Sequence, residues 1–182
     1  MSTLYTHQTQ NIRKTWFLMT VFLIVVIGLG FLFARIYDNA MILFVFVVFA
    51  IVMNITSYWF SDKIVVSLAG AKLVDPKKDL ELIRIVENLA ITAGLPMPKV
   101  YIVNDPAPNA FATGRDPKHS VVAVTTGLLS ILEKNELEGV IAHELSHIGN
   151  RDMLVSTVAV VLVGFLSIVS DMFLRMSIWG IF

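Results

Sequence analysis

Two histidines and a glutamate occur together in the segment His143-Glu144-Leu145-Ser146-His147, which matches the pattern H-E-x-x-H. Residues four apart lie on one face of a helix, so both imidazoles can bind one metal ion. Zn²⁺ is the expected ion, because imidazole suits it and because it lowers the pKa of a bound water to about 7. Glu144 would be the general base acting on that water. The simpler interpretation is two polar histidines on a surface helix.

The third ligand of such a site is not evident. A catalytic zinc site takes three protein ligands and a water. The longer pattern H-E-x-x-H-x-x-G-x-x-H is excluded, because Asn150 and Met153 stand where it needs glycine and histidine. After His147 the carboxylates are Asp152 and Asp171, and there is no glutamate. We expect Asp152 to support a ligand rather than to be one, and Asp171 to lie too far along a helix. The printed sequence is therefore expected to lack the third ligand.

The elements that must position this motif can be predicted from local patterns. A helix is expected from Asp75 and Pro76, as N-cap and first residue, to Gly94. The motif helix is expected to begin at Asn135, where Asn-x-x-Glu resembles a capping box. Strands are predicted at 99–103, 109–114 and 120–126, separated by a loop at 104–108 and a turn at 115–118. This part of the chain is therefore predicted to be α+β, with a short sheet between helices.

The charges are concentrated in that same part of the chain. The 182 residues include 14 basic and 14 acidic groups, yet only 15% are charged and 56% are hydrophobic. Soluble domains have about a quarter of their residues charged, and residues 62–152 hold 22 of the 28 charges. The balanced charge argues against nucleic-acid binding, and the high apolar content argues against disorder. The absence of cysteine excludes a disulfide scaffold.

The uncharged stretches predict three membrane-spanning helices. Residues 15–34, 39–61 and 153–170 lack any charged side chain, and about 20 helical residues cross the hydrocarbon core of a bilayer. We therefore expect a membrane hairpin in residues 1–61, a water-soluble domain in 62–152 and a third transmembrane segment in 153–182. Buried core helices are the alternative. A signal peptide is an alternative for the first stretch, which is longer than the usual apolar region of such peptides.

The basic residues predict how the chain is oriented in the membrane. Arg13 and Lys14 precede the first stretch, and only Arg35 lies in the hairpin turn. Four lysines follow the second stretch, namely Lys63, Lys72, Lys77 and Lys78. Because Lys and Arg accumulate on the cytoplasmic side, the N-terminus and residues 62–152 are expected to face the cytoplasm.

Three stretches resemble the HtpX family of membrane zinc endopeptidases, relatives of the CaaX prenyl proteases. They are Asn109-Ala110-Phe111-Ala112-Thr113-Gly114, Val122 to Leu129, and Ala142 to Met153 with the zinc motif. The order of two spans, a soluble segment and a third span also agrees. The resemblance implies a zincin-like domain in which His143 and His147 bind zinc and Glu144 is catalytic. Family members continue to a glutamate that provides the third ligand, so the resemblance implies that this chain is truncated.

The resemblance also implies a substrate and a location. The expected activity is cleavage of misfolded or damaged membrane proteins at the cytoplasmic face of a bacterial inner membrane. Residues Asn109, Ala110, Phe111 and Ala112 would form an edge strand that pairs with unfolded polypeptide, although an ordinary hairpin strand is the alternative. Two other functions stay open: a non-catalytic membrane scaffold or pseudoprotease without the third ligand, and a prenyl protease of the CaaX type.

Overall fold

The computed structural model describes residues 4–178, which form seven α-helices and four β-strands. In chain order the helices are α1 (Leu4–Ile36), α2 (Ala40–Trp59), α3 (Ser61–Leu68), α4 (Leu80–Thr92), α5 (Thr126–Ile131), α6 (Lys134–Asn150) and α7 (Asp152–Ile178). The strands are β1 (Lys72–Leu73), β2 (Lys99–Val103), β3 (Ala110–Gly114) and β4 (Ser120–Thr125). The predicted combination of long apolar helices with a small sheet is therefore confirmed.

Two helices are long and apolar enough to cross a bilayer, namely the Gln8–Ile36 part of α1 and the whole of α2. They pack side by side as a hairpin. Gly30 allows close packing, since a Cβ atom added there would lie 2.4 Å from the Cβ atom of Phe46 on α2. The predicted stretches 15–34 and 39–61 lie mainly on these helices. The second one ends earlier than expected, at Trp59, and the chain continues as α3 from Ser61.

The predicted third transmembrane segment corresponds to α7. Residues 179–182, the end of that prediction, lie outside the described part of the chain. The chain bends by 86° between α6 and the Asp152–Ser167 part of α7, and this pair meets the length and composition of a span only when taken together. Arg151 makes the bend with a positive φ of 57°. An apolar cluster joins α7 to the hairpin through Met19, Phe22, Val26, Ala50, Leu154, Val158 and Leu162.

The four strands form one sheet in the order β1-β2-β4-β3. Strands β2 and β4 are parallel, whereas β1 and β3 pair antiparallel with their neighbours. The predicted strands are confirmed to within one residue, and β1 is an additional short strand. Gly114 ends β3 with a φ of 137°, and a Cβ atom there would lie 2.2 Å from the carbonyl oxygen of His119. This order leaves β3 at the edge of the sheet, next to α6.

The soluble core lies between the sheet and the pair α4 and α6. Its buried members are Leu82, Ile85, Val86, Val100, Val122, Val124, Leu128, Leu137, Ile141, Leu145, Ile148 and Met153. The α6 members recur three or four residues apart and therefore share one face of the helix. His143 and His147 lie on another face of α6, and Glu144 lies between that face and the buried one.

Two predicted helix starts are wrong. Asp75 is not an N-cap: its Oδ1 atom accepts a hydrogen bond from the N–H of Lys77 at 2.9 Å, which closes a turn, and α4 begins only at Leu80. Likewise, α6 begins at Lys134 rather than at Asn135. The Glu136 side chain accepts from the Glu133 N–H at 2.9 Å, so the capping box lies two residues before the expected one.

Candidate metal centre

The helix α6 directs the motif side chains away from the core. Ile141, Leu145 and Ile148 are buried against the sheet and α4, so the residues between them lie on other faces. His143 is exposed, whereas Glu144 and His147 are partly buried. The apolar stripe of α6 therefore fixes the rotation of the helix, and with it the direction in which the two imidazoles point.

The two predicted histidine ligands come together in the structure. Their Nε2 atoms are 3.2 Å apart, and their ring planes are inclined at 81°. A tetrahedral zinc ion with Zn–N bonds of about 2.0–2.1 Å separates two nitrogen ligands by about 3.3 Å. A Glu144 oxygen and these nitrogens all lie within 4.8 Å of one another. The donor atoms therefore fit a small divalent cation that prefers imidazole.

The other ring nitrogen of His147 faces a carboxylate. Its Nδ1 atom lies 2.9 Å from Oδ2 of Asp152, the first residue of α7. An N–H on Nδ1 can donate to this carboxylate, which leaves Nε2 with its lone pair on the side of His143. Asp152 therefore orients the imidazole of His147, whose role as a metal ligand stays a prediction.

Glu144 has an environment that suits a base. Burial raises its pKa above the ordinary value, although the charges of His147 and His143 and a hydrogen bond from the Ala112 main chain act in the opposite direction. A raised pKa brings a carboxylate closer to the range in which it can accept a proton at neutral pH and later release it. The contact with Ala112 also places Glu144 beside the edge strand β3.

The four residues predicted to bind substrate lie at this edge with different main-chain directions. Asn109 precedes β3, and its carbonyl oxygen accepts a hydrogen bond from the Thr125 N–H at 3.0 Å. Because hydrogen-bonding direction alternates along a strand, Phe111 also faces β4, whereas Ala110 and Ala112 direct their N–H and C=O groups away from the sheet. The outward groups of Ala110 and Ala112 therefore lie on the side of the motif helix.

The sequence analysis missed residues of α1 that contact the end of α6. The Gln8 side chain donates to the Gly149 carbonyl at 2.7 Å, and the Asn11 side chain donates to the Asn150 carbonyl at 3.1 Å. These carbonyls belong to the last turn of α6, whose C=O groups have no partner within the helix. Helix periodicity does not indicate such contacts, because they join residues about 140 positions apart.

Another histidine, His119, lies in the turn between β3 and β4. Its Nδ1 atom is 2.8 Å from Oδ1 of Asp116. Burial acts to raise the pKa of Asp116, but hydrogen bonds and charge from His119, with the N–H of Lys118, outweigh it and lower the pKa. The pair closes the turn rather than offering a second metal site.

The comparisons with known proteins agree with this arrangement. The sequence profile of peptidase family M48 matches residues 76–178, more than half of the chain. The chain belongs to peptidase family M48. The M48 match extends from just before α4 to the end of the described part of α7, so it includes strands β2, β3 and β4 and the whole of α6.

Several curated relatives match the M48 region and the hairpin together, each named "Protease HtpX homolog". The protein of Caldanaerobacter subterraneus subsp. tengcongensis is 44% identical over 180 residues, 98% of this chain and 60% of its own length. That of Tropheryma whipplei (strain Twist) is 46% identical over 177 residues, 97% of this chain and 60% of its own. That of Pyrococcus furiosus is 50% identical over 166 residues, which are 91% of this chain and 56% of its own length. The chain therefore spans about 60% of the first two relatives.

Proposed function

We propose that the chain is the metal-binding part of a membrane-bound, zinc-dependent endopeptidase. One observation supports this most strongly: in a member of family M48, two imidazole nitrogens converge at 3.2 Å beside a partly buried glutamate. The relatives are named proteases over a longer chain. The alternative of two unrelated surface histidines does not account for the carboxylate on Nδ1 of His147.

In the proposed mechanism, His143 and His147 would hold a zinc ion through their Nε2 atoms. A zinc ion bound there would acidify a water molecule and polarise the scissile carbonyl. Glu144 takes the proton from the water as general base and passes it to the leaving amine as general acid. Asp152 keeps His147 in the required orientation and tautomer throughout.

The third protein ligand is proposed to come from outside residues 1–182. Oδ2 of Asp152 contacts Nδ1 of His147, the ring nitrogen that does not face His143, and the carboxylate of Asp171 lies 2.7 Å from Nε of Arg175. Residue Asp171 also lies far along α7, near the opposite end of that helix. A non-catalytic scaffold is the competing function, and it would retain this fold without a complete site.

The proposed substrates are misfolded or damaged membrane proteins and other unfolded polypeptides. The outward main-chain groups of Ala110 and Ala112 would pair with an extended backbone and place it alongside Glu144. Main-chain pairing does not depend on side-chain identity, but it requires a locally unfolded segment. This requirement favours damaged proteins over folded ones and suits a quality-control role.

We further propose three spans and a site facing the cytoplasm of a bacterial inner membrane. The apolar cluster between α7 and the hairpin supports a third span. The excess of Lys and Arg outside the turn between α1 and α2 supports the orientation. The site then lies where segments extracted from the membrane reach water.

The test combines metal content and cleavage for the longer protein of which this chain is proposed to be part, purified in detergent. We expect one zinc per chain and chelator-sensitive cleavage of unfolded casein. Glu144→Gln should retain zinc but lose about 100-fold or more in cleavage rate, whereas the control His119→Gln should change neither. Undiminished cleavage by Glu144→Gln would refute the mechanism. Wild-type protein with neither zinc nor cleavage would favour the scaffold.

A further inference from the structure

A cavity lies where the soluble domain meets the hairpin, outside the metal centre. Its volume is about 460 Å³. On the membrane side it is lined by Trp16 and Tyr58, whose rings stack with centroids 6.0 Å apart. Tyr58 lies at the end of α2 that leads into the soluble domain, and Trp16 lies beside it on α1. Aromatic rings are enriched at the headgroup level of bilayers. A hairpin that spans a bilayer would therefore place the cavity near the depth of lipid headgroups.

Three basic side chains also line the cavity, namely Arg115, Lys118 and Arg151, together with one carboxylate, Asp116. That carboxylate is already engaged. It accepts from the N–H groups of Lys118 and His119, contacts the His119 ring at 2.8 Å and lies 3.4 Å from Nε of Arg115. The local charge is therefore positive, in a chain whose total formal charge is zero.

Two of these cations have no acidic partner among residues 4–178. Neither Lys118 nor Arg151 forms an ion pair there. The Nε atom of Arg151 is buried and has no hydrogen-bond acceptor within the described chain. Burying a charged donor without an acceptor costs free energy. An anionic group beside Arg151 would remove this cost.

Apolar side chains of the membrane helices also line the cavity. Ile12 and Trp16 of α1 and Leu154 of α7 line this side. Arg115 also stacks over Trp59, with its guanidinium carbon 4.7 Å from the ring centroid. A cationic wall next to an apolar wall matches an amphiphile with a phosphate beside acyl chains, whereas free phosphate or a polar peptide would leave the apolar wall uncovered.

We propose that this cavity binds an anionic phospholipid, with the lipid phosphate against Arg151 and Lys118 and an acyl chain along α1 and α7. Arg115 stays on Trp59 and borders the site. The proposal rests on the hairpin being in a membrane and does not require zinc or proteolysis. The experiment that tests it therefore measures lipid binding rather than proteolytic activity.

The experiment measures lipid binding to the 182-residue protein in neutral detergent by native mass spectrometry. We expect phosphatidylglycerol to bind about tenfold more tightly than phosphatidylcholine of the same acyl chains, as two charge-assisted contacts allow. Lys118→Gln and Arg151→Gln should each reduce this preference. Lys77→Gln removes the same charge from an exposed loop and should leave the preference unchanged.

Each other outcome contradicts the proposal. Equal binding of the two lipids, or an unchanged preference in Lys118→Gln, would show that these cations do not select the headgroup. Because Arg151 lies at the bend between α6 and α7, its variant could fail to fold, and Lys118→Gln alone then decides. Displacement of phosphatidylglycerol by equimolar inorganic phosphate would indicate a simple anion site, and displacement by an acidic peptide would indicate a polypeptide site.

Discussion

Oδ2 of Asp152 lies 2.9 Å from Nδ1 of His147, while Nε2 of the same ring lies 3.2 Å from Nε2 of His143. One residue is at the start of α7 and the other is near the end of α6, so the contact crosses the 86° bend. The orientation of the imidazole therefore depends on the bend as well as on the motif helix.

Asp152→Asn should weaken zinc binding by about 10- to 100-fold, because an amide holds the imidazole less firmly and does not increase its basicity. The measurement is competition against a chromophoric chelator in detergent. Asp171→Asn, which alters another carboxylate of α7, is the matched control. Equal zinc affinity in both variants would show that the contact with His147 does not support the metal.

Glu144→Gln should change thermal stability in a pH-dependent way in the metal-free protein. Burial raises the pKa of Glu144, so the folded state holds its proton more tightly than the unfolded state. The stability that this gives is present below the unfolded pKa of about 4.3 and is lost as the pH rises through the folded pKa. The variant avoids the loss and should melt higher than wild type at pH 7, with a smaller difference at pH 4.

Circular dichroism of both proteins in detergent with chelator measures this difference. Glu87→Gln, which changes an exposed carboxyl on α4, is the control for the charge change. A Glu144→Gln variant that melts below wild type at pH 7 would show that the ionised carboxylate is stabilised at this position.

A buried pair of hydroxyls links the edge strand β3 to α7, and replacing either hydroxyl should destabilise the protein by a different amount. Thr113 Oγ1 and Thr157 Oγ1 are 3.0 Å apart, and Thr157 donates to the Met153 carbonyl at 2.6 Å. Thr113 must then donate to Thr157. Thr157→Val leaves the Thr113 hydroxyl without its acceptor and should cost about 1–3 kcal/mol in the free energy of unfolding. Thr113→Val removes only the donor and should cost less.

Denaturant unfolding in mixed micelles measures both variants and the double variant Thr113→Val with Thr157→Val. The double variant should cost less than the two single ones added together, because the contact is lost only once. Additive costs would mean that α7 does not pack against β3 through this pair.

The absence of cysteine makes the orientation directly testable. Ala40→Cys lies at the turn end of α2, and Lys77→Cys lies in the soluble domain. We expect a membrane-impermeant maleimide to label Ala40→Cys in intact cells and Lys77→Cys only after the membrane is opened. The reverse pattern would contradict the orientation that the positive residues predict.

Local signals explain the parts of the fold that the sequence predicted well. The spacing of His143 and His147 and the apolar stripe through Ile141 and Leu145 depend only on helix geometry, and β2 and β4 follow from β-branched runs. The helix starts at Asp75 and Asn135 were predicted wrongly, because several nearby side chains can cap the same turn and packing decides among them. Strand order and the contacts of Gln8 depend on residues far apart in the chain, for which a single sequence contains no local signal.

The bonds from Gln8 and Asn11 to the last carbonyls of α6 have a consequence for how the molecule unfolds. Through these bonds, side chains of α1 cap the C-terminal end of α6, the helix that contains His147. A fragment beginning at residue 62 would expose those carbonyls to water, and fraying would start within one turn of His147. The hairpin and the motif helix should therefore protect one another from hydrogen exchange as a single cooperative unit, although α3, α4, α5 and the sheet lie between them in the chain.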